Sequence, residues 1–265
     1  MLKSKSKIPK KLFLSCLLIS FVIYSTAQAV EYDGIWFLGF NLKSPVFKNL
    51  VVRQAVNQSI DKKYIAKDLI SQEALPVSLI PPTMLGYDPD LKAKPYNIKQ
   101  AKDLMQKAGF PISDTRLKSI SLLHTDGVKT IAAAQAIRKN LQSLGLQVKL
   151  VKVKYEDQEQ WVADLVAGKY DLFLMGYKAG IEQMFSTDEA TASQIDTYNL
   201  LQPLFATKGE ANFTSYSKAN VDDLLSQVAG INIALKSDRN AKFKKINRIL
   251  YQDLPVIVLF YIEKL

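Results

Sequence analysis

The sequence has few of the residues that most often carry metal and nucleophilic chemistry. One cysteine, Cys16, and one histidine, His124, occur in 265 residues. A single thiol excludes an internal disulfide, and no Cys or His spacing predicts a zinc site. The nucleophile-elbow, P-loop and dinucleotide-binding glycine motifs are also absent. We therefore predict a protein that is not an enzyme and that requires no metal or cofactor.

His124 ends a predicted strand beside Thr125 and Asp126. It could serve as a base or a ligand near a cleft. We favour a partly exposed strand-end residue, because no second metal ligand stands at a recognisable spacing. Trp36 and Trp161 are interpreted as core or hinge aromatics.

The first 29 residues have the pattern of a secretory signal peptide. Five lysines precede an apolar run at 12–24, and Ala27-Gln28-Ala29 forms a small-x-small cleavage site. A transmembrane anchor is the alternative, but the run is shorter than the ~20 residues that span a bilayer. We predict export with cleavage after Ala29, which would also remove Cys16.

The charge of the chain is basic but does not indicate nucleic acid. The formal net charge is +10, with 35 basic and 25 acidic residues. Removing the five leader lysines leaves 30 basic and 25 acidic residues, a net charge of +5. A small excess of this kind is typical of an exported, soluble surface, so no nucleic-acid partner is expected.

Hydrophobic periodicity predicts an α/β fold. A strand is predicted near 34–41, and a helix follows near Asn49. Further along, strands at 117–124 and 148–154 alternate with helices at 128–144 and 157–167 and lead to a third strand near 172–175. This alternation predicts a parallel unit whose strand ends line one edge. Helices at 197–205, 221–228 and 238–253 and a strand at 255–262 close the predicted fold.

The stretch Lys169–Gly180, KYDLFLMGYKAG, is the predicted centre of the sheet. Four consecutive apolar residues, 172–175, favour a strand that is covered on both faces. Open α/β sheets usually bind ligands beyond the carboxyl ends of their strands. Tyr177, Lys178 and the residues after them are therefore the first candidates for a ligand site.

Several blocks of the sequence resemble the family 5 extracellular solute-binding proteins, which deliver peptides, nickel or other small solutes to ABC importers. The blocks are FNLKSPVFKNLVVRQAVNQSIDKKYI, LIPPTMLGYDPD, YNIKQAKDLMQKAGFP, KYDLFLMGY, NFTSYSKANVDDLL and RNAKFKKINRILYQDLPVIVLFY, in that order from residue 40 to residue 261. The resemblance implies one lobe of a type II periplasmic-binding-protein fold, a mixed sheet with flanking helices.

Members of this family are two-lobed proteins that close around a solute, and the matching blocks resemble the second lobe. We expect a signal peptide at 1–29 and lobe II at 30–265, with the first lobe absent. The implied function is that of a periplasmic, peptide-type solute-binding protein, truncated to one lobe. Its expected partners are an importer permease, a small solute or peptide, and a separately encoded first lobe. Two alternatives remain: a degenerate remnant, or an exported scaffold that reuses the lobe.

The resemblance also places the ligand site. Peptide-binding members carry G-W-x-x-D after this strand, and the aspartate holds the peptide amine. Here Gly176-Tyr177-Lys178-Ala179-Gly180 keeps an aromatic but has no carboxylate. The candidate ligand-binding residues are Met175, Gly176, Tyr177, Lys178 and Gly180. Because an unpaired buried ammonium is costly, a free peptide amine is not expected to bind in the family's way.

Overall fold

The protein is built on one mixed five-stranded sheet with the strand order β3-β2-β4-β1-β5. The structure is a computed structural model that describes residues 30–72, 75–154, 156–180 and 196–264. The predicted leader therefore lies outside the described residues. The strands are β1 (Tyr32–Phe40), β2 (Ile120–Thr125), β3 (Val148–Val153), β4 (Leu172–Lys178) and β5 (Val256–Glu263).

The directions of the strands confirm the predicted parallel unit. β2 runs parallel to both β3 and β4. β1 runs antiparallel to β4 on one side and to β5 on the other. The carboxyl ends of β2, β3, β4 and β5 and the amino end of β1 therefore meet along one edge, which we call the carboxyl edge.

Seven α-helices flank the sheet in the described part of the chain. They are α1 (Leu50–Ser59), α2 (Ile98–Lys107), α3 (Val128–Gln142), α4 (Gln158–Val166), α5 (Thr197–Phe205), α6 (Ala219–Ala229) and α7 (Lys236–Asp253). None of the described helices is both long and apolar enough to cross a membrane.

Local sequence signals set the ends of α1 and α2. The Asn49 side chain accepts a hydrogen bond from the Val51 amide at 2.9 Å, as an N-cap residue does. Asn97 caps α2 in the same way, through the Gln100 amide at 2.9 Å. Gly109 follows α2 with a φ of 77°, a left-handed conformation that glycine adopts without steric cost.

The sheet separates two hydrophobic cores, and β4 contributes to both. Leu172 and Leu174 point into the first core, which is packed beneath α1, α2 and α3. Phe173 and Met175 point into the second core, which is packed against α5, α6 and α7. Alternate residues of a strand face opposite sides of the sheet. The prediction that the apolar run 172–175 is covered on both faces is therefore confirmed.

Two short segments lie between the main elements. The segment Tyr64–Leu69 forms a π-helix, and Asp61 accepts a hydrogen bond from the Tyr64 amide at 3.0 Å. Thr115–Leu117 forms a 3₁₀ turn capped by Asp114, so β2 begins at Ile120 and not near residue 117.

The outer edge of β5 is covered in part by one buried side chain. The Gln72 amide group donates to the Tyr261 carbonyl at 2.6 Å and accepts from the Tyr261 amide at 2.8 Å. Gln72 thus replaces a neighbouring strand at this position, because an unpaired edge strand otherwise leaves its backbone groups without partners.

We expect Gln72→Leu to lower the free energy of unfolding by about 2 kcal/mol, because two buried backbone groups lose their partners. Urea denaturation would measure the loss, and hydrogen exchange at the Tyr261 amide should become faster. Gln106→Leu on the exposed side of α2 is the control. Equal stability of the two variants would contradict the role given to Gln72.

Candidate functional site

The carboxyl edge is where the chain both enters and leaves the sheet. β1 starts at Tyr32 beside the end of β4, and Gly34 pairs with Lys178. β5 ends on the other side of β1, where Tyr32 pairs with Glu263. β1 therefore lies next to the predicted ligand strand β4, and β5 lies one strand further out.

The predicted site residues of β4 point to opposite faces of the sheet. Met175 and Tyr177 turn into the second core and retain only 9% and 7% of their exposure. Gly176, between them, is exposed on the face of the first core. The strand therefore does not present the five candidates as one surface, and the ring of Tyr177 offers little area for stacking.

Gly176 makes room for an aromatic pair. A Cβ at this position would lie 2.7 Å from Cδ1 of Trp36, the residue that pairs with Gly176 across the strands. Trp36 in turn stacks on Phe260 with ring centroids 5.1 Å apart and an interplanar angle of 18°. Both rings are only partly buried. The result is a partly exposed aromatic surface near the carboxyl edge, which suits contact with an apolar or planar group.

A charged pair stands next to this surface. Lys178 Nζ lies 3.2 Å from Asp33 Oδ2, and their side chains remain 18% and 21% exposed. The second carboxylate oxygen of Asp33 is buried and has no hydrogen-bond partner among the described residues. The Ala179 amide donates to the Asp33 carbonyl at 2.7 Å, which holds the two strands together here. The pair therefore combines a lysine donor with a carboxylate that has unused acceptor capacity.

Gly180 is the last described residue of this stretch. It is buried and has a φ of 72°, a left-handed conformation that disfavours most side chains. Glu182, the nearest acidic residue after it in the sequence, lies outside the described residues.

His124 is buried, whereas the sequence predicted a partly exposed residue. Only 3% of its surface remains exposed, and Nδ1 donates to the Thr125 carbonyl at 2.8 Å. Among the residues that the structure describes, no group of three His, Cys, Asp or Glu side chains could hold a metal ion. The geometry thus gives His124 a packing role at the end of β2.

Comparison with protein-family models gives one match. The model for "Bacterial extracellular solute-binding proteins, family 5 Middle" matches residues 17–193, well over half of the chain. The chain belongs to this family. The resemblance read from the sequence blocks is therefore confirmed.

Relatives within the family bind different solutes. The glutathione-binding protein GsiB of Escherichia coli O6:K15:H31 is 27% identical over 234 residues, which cover 86% of this chain and 42% of that protein. Heme-binding protein A of Haemophilus influenzae is 23% identical, and the match covers 87% of this chain and 40% of that protein. The chain thus spans about two fifths of the length of these family 5 proteins.

Solved structures of the family show the same fold. HbpA2 from Haemophilus parasuis superposes with a TM-score of 0.73 at 21% identity, covering 88% of this chain and 43% of that one. DppA from Helicobacter pylori, in complex with the peptide STSA, gives a TM-score of 0.67 at 22% identity, with 88% and 43% covered. These matches confirm the predicted type II binding-protein architecture for the lobe.

Sequence reasoning missed Asp33 and Phe260 and assigned Trp36 only to a core or hinge. One signal was present: a glycine inside an apolar strand often marks close approach by another group. Gly176 is such a glycine, but its partner on β1 lies 140 positions earlier in the chain. Only the strand pairing shows which residue fills the space above it.

Proposed function

We propose that this protein is a periplasmic solute-binding component of an ABC importer and that its ligand is a peptide-type or similarly small polar solute. The carrying observation is the family 5 match together with a carboxyl edge that presents polar and aromatic side chains. The peptide and glutathione ligands named for its relatives favour a solute that contains amide and carboxylate groups.

The proposed mechanism is closure of this lobe on a second lobe around the solute. Because β1 and β5 both cross the carboxyl edge, a rotation at those two crossings would move the whole sheet as one body. A solute that contacts both lobes would favour the closed state, which the permease would recognise. In this proposal residues 30–265 form lobe II after signal-peptide removal at Ala29, and a first lobe, separately encoded, completes the cleft.

The proposed ligand contacts come from one face of β4 and from the neighbouring strand β1. Lys178 and Asp33 would bind the carboxylate and an amide or ammonium donor of the solute, respectively. Gly176 leaves room for the Trp36 ring, which the solute would contact. Met175, Tyr177 and Gly180, also predicted as site residues, would shape the strand behind these contacts. An Asp33 carboxylate beside the strand end would partly offset the missing carboxylate at Gly180.

A thermal-shift series tests this proposal. We expect short peptides or glutathione, at about 100 times their dissociation constant, to raise the melting temperature by about 5–10 °C. Lys178→Met should reduce the shift at a given solute concentration, because the solute carboxylate loses its cationic partner. Lys139→Met, exposed on α3, is the matched control.

The series is run with the protein alone and with a first lobe added. A shift that needs the added lobe would support the two-lobe mechanism. Absence of any shift under both conditions would contradict solute binding and leave the scaffold or remnant interpretation.

A further inference from the structure

A cavity lies at the amino end of β5, opposite the carboxyl edge. Its volume is about 500 Å³, within the ~300–1,000 Å³ typical of small-ligand sites. The walls are α1, α2, the end of α7, residues 76–79 and the strand residues 256–258. We call it the lateral cavity, because it opens beside the edge strand and not at the carboxyl edge.

The edge strand offers backbone groups to this cavity. The Phe40 amide donates to the Pro255 carbonyl at 3.3 Å, and Leu38 pairs with Ile257. In an antiparallel ladder the residues that bond to the neighbouring strand alternate with residues that do not. Val256 and Val258 therefore turn their amide and carbonyl groups away from β1, and both residues line the cavity.

Polar side chains of α1 also line the cavity. Gln58 retains 8% of its exposure, and its Oε1 atom is buried without a hydrogen-bond partner in the described part of the chain. A buried acceptor of this kind is costly unless a donor reaches it. Because Gln58 Oε1 lies on the cavity wall, a bound group that carries an N–H or O–H could supply the missing donor.

The charge of the lining favours an anion. Lys62 donates from Nζ to Asn57 Oδ1 at 2.9 Å and keeps two further donors. Lys94 also lines the cavity, and the described lining contains no carboxylate. Burial lowers the pKa of Lys62 to about 8, because desolvation disfavours the charged ammonium.

From these groups we propose that the lateral cavity is a second binding site, for a small carboxylate that also carries an amide N–H, such as the carboxyl end of a short peptide. The carboxylate pairs with Lys62, and the amide N–H bonds to Gln58 Oε1. The outward backbone groups of Val256 and Val258 extend the pairing, as when a peptide segment adds to a sheet edge. This site is separate from the contacts proposed at Lys178.

Titration of the purified protein with N-acetylalanine, followed by NMR shift perturbation, tests the site. We expect saturable shifts at residues of α1 and β5, with N-acetylalaninamide binding at least about tenfold more weakly because it lacks the charge. Lys62→Met should weaken N-acetylalanine binding by a similar factor. Lys63→Met, exposed on the neighbouring position, should leave it unchanged.

Two further variants keep the outcomes distinct. Gln58→Leu removes the unpartnered oxygen and should also weaken binding, while Lys178→Met at the carboxyl edge should leave the shifts at α1 and β5 unchanged. Loss of binding in Lys178→Met with retention in Lys62→Met would overturn the lateral site and assign the probe to the carboxyl edge. Absence of saturable shifts would show a cavity that holds water only and would likewise overturn the proposal.

The pH dependence provides an independent readout. The titratable groups on the lining are Lys62, Lys94 and Tyr251. Above pH 8 the Lys62 amine of the ligand-free protein loses its proton. Binding that needs the ammonium must then be accompanied by proton uptake, which lowers the apparent affinity. We expect affinity at pH 9 to be about tenfold lower than at pH 7 for the parent protein and unchanged over this range for Lys62→Met. Equal pH profiles for the two proteins would contradict the pairing with Lys62.

Discussion

Replacement of Arg53 by methionine is expected to lower the free energy of unfolding by about 3 kcal/mol. Arg53 is buried in α1, and its guanidinium donates to four backbone carbonyls. They belong to Phe47 at 2.8 Å, Lys48 at 3.1 Å, Asp253 at 2.6 Å and Leu254 at 3.0 Å. One side chain thus joins the start of α1 to the end of α7. Methionine fills a similar volume but leaves these carbonyls without a donor.

Urea denaturation measures the effect, with Lys139→Met as the exposed control. Arg53→Lys should recover only part of the loss, because one ammonium cannot reproduce the planar fork that reaches both helices. Burial lowers the pKa of Arg53, but an arginine stays charged at neutral pH, so the loss should vary little between pH 6 and pH 8. A change below about 1 kcal/mol would contradict this account.

Gly176→Ala is expected to disturb both stability and the proposed solute site. The new methyl group would lie 2.7 Å from Trp36 Cδ1, so the indole must move off its stack with Phe260. Overpacking of this kind costs about 1–3 kcal/mol. Displacement should also expose the Trp36 ring to water, and any solute that contacts it should bind more weakly.

Fluorescence in a Trp161→Phe background isolates Trp36, because the sequence contains two tryptophans. We expect a red shift of emission in Gly176→Ala and a reduced thermal shift with the peptide series. Gly230→Ala is the matched control, since a Cβ there meets its nearest atom at 3.6 Å, an ordinary contact. Unchanged emission in Gly176→Ala would show that the Trp36 ring does not pack against Gly176.

The two proposed sites differ in how far the sequence anticipates them. The carboxyl edge was predicted from an apolar strand followed by a loop, which is a local pattern. The directions of the strands then showed which strand ends meet at this edge. The lateral cavity gave no such pattern. Gln58 and Lys62 read as polar positions near a helix end, and only packing against β5 and residues 76–79 enclosed them. A cavity between distant segments has no local periodicity from which it could be inferred.

The sequence by itself determined the alternation of strands and helices, the burial of β4 on both faces and membership of the solute-binding family. These features follow from the spacing of apolar residues and from caps such as Asn49 and Asn97, which act within a few residues. Tertiary structure decided which side chains meet. The pairing of Trp36 with Gly176 and of Asp33 with Lys178 depends on the register between β1 and β4. Register is fixed by the packing of whole strands across the sheet, because a shift of one residue would turn every side chain to the opposite face.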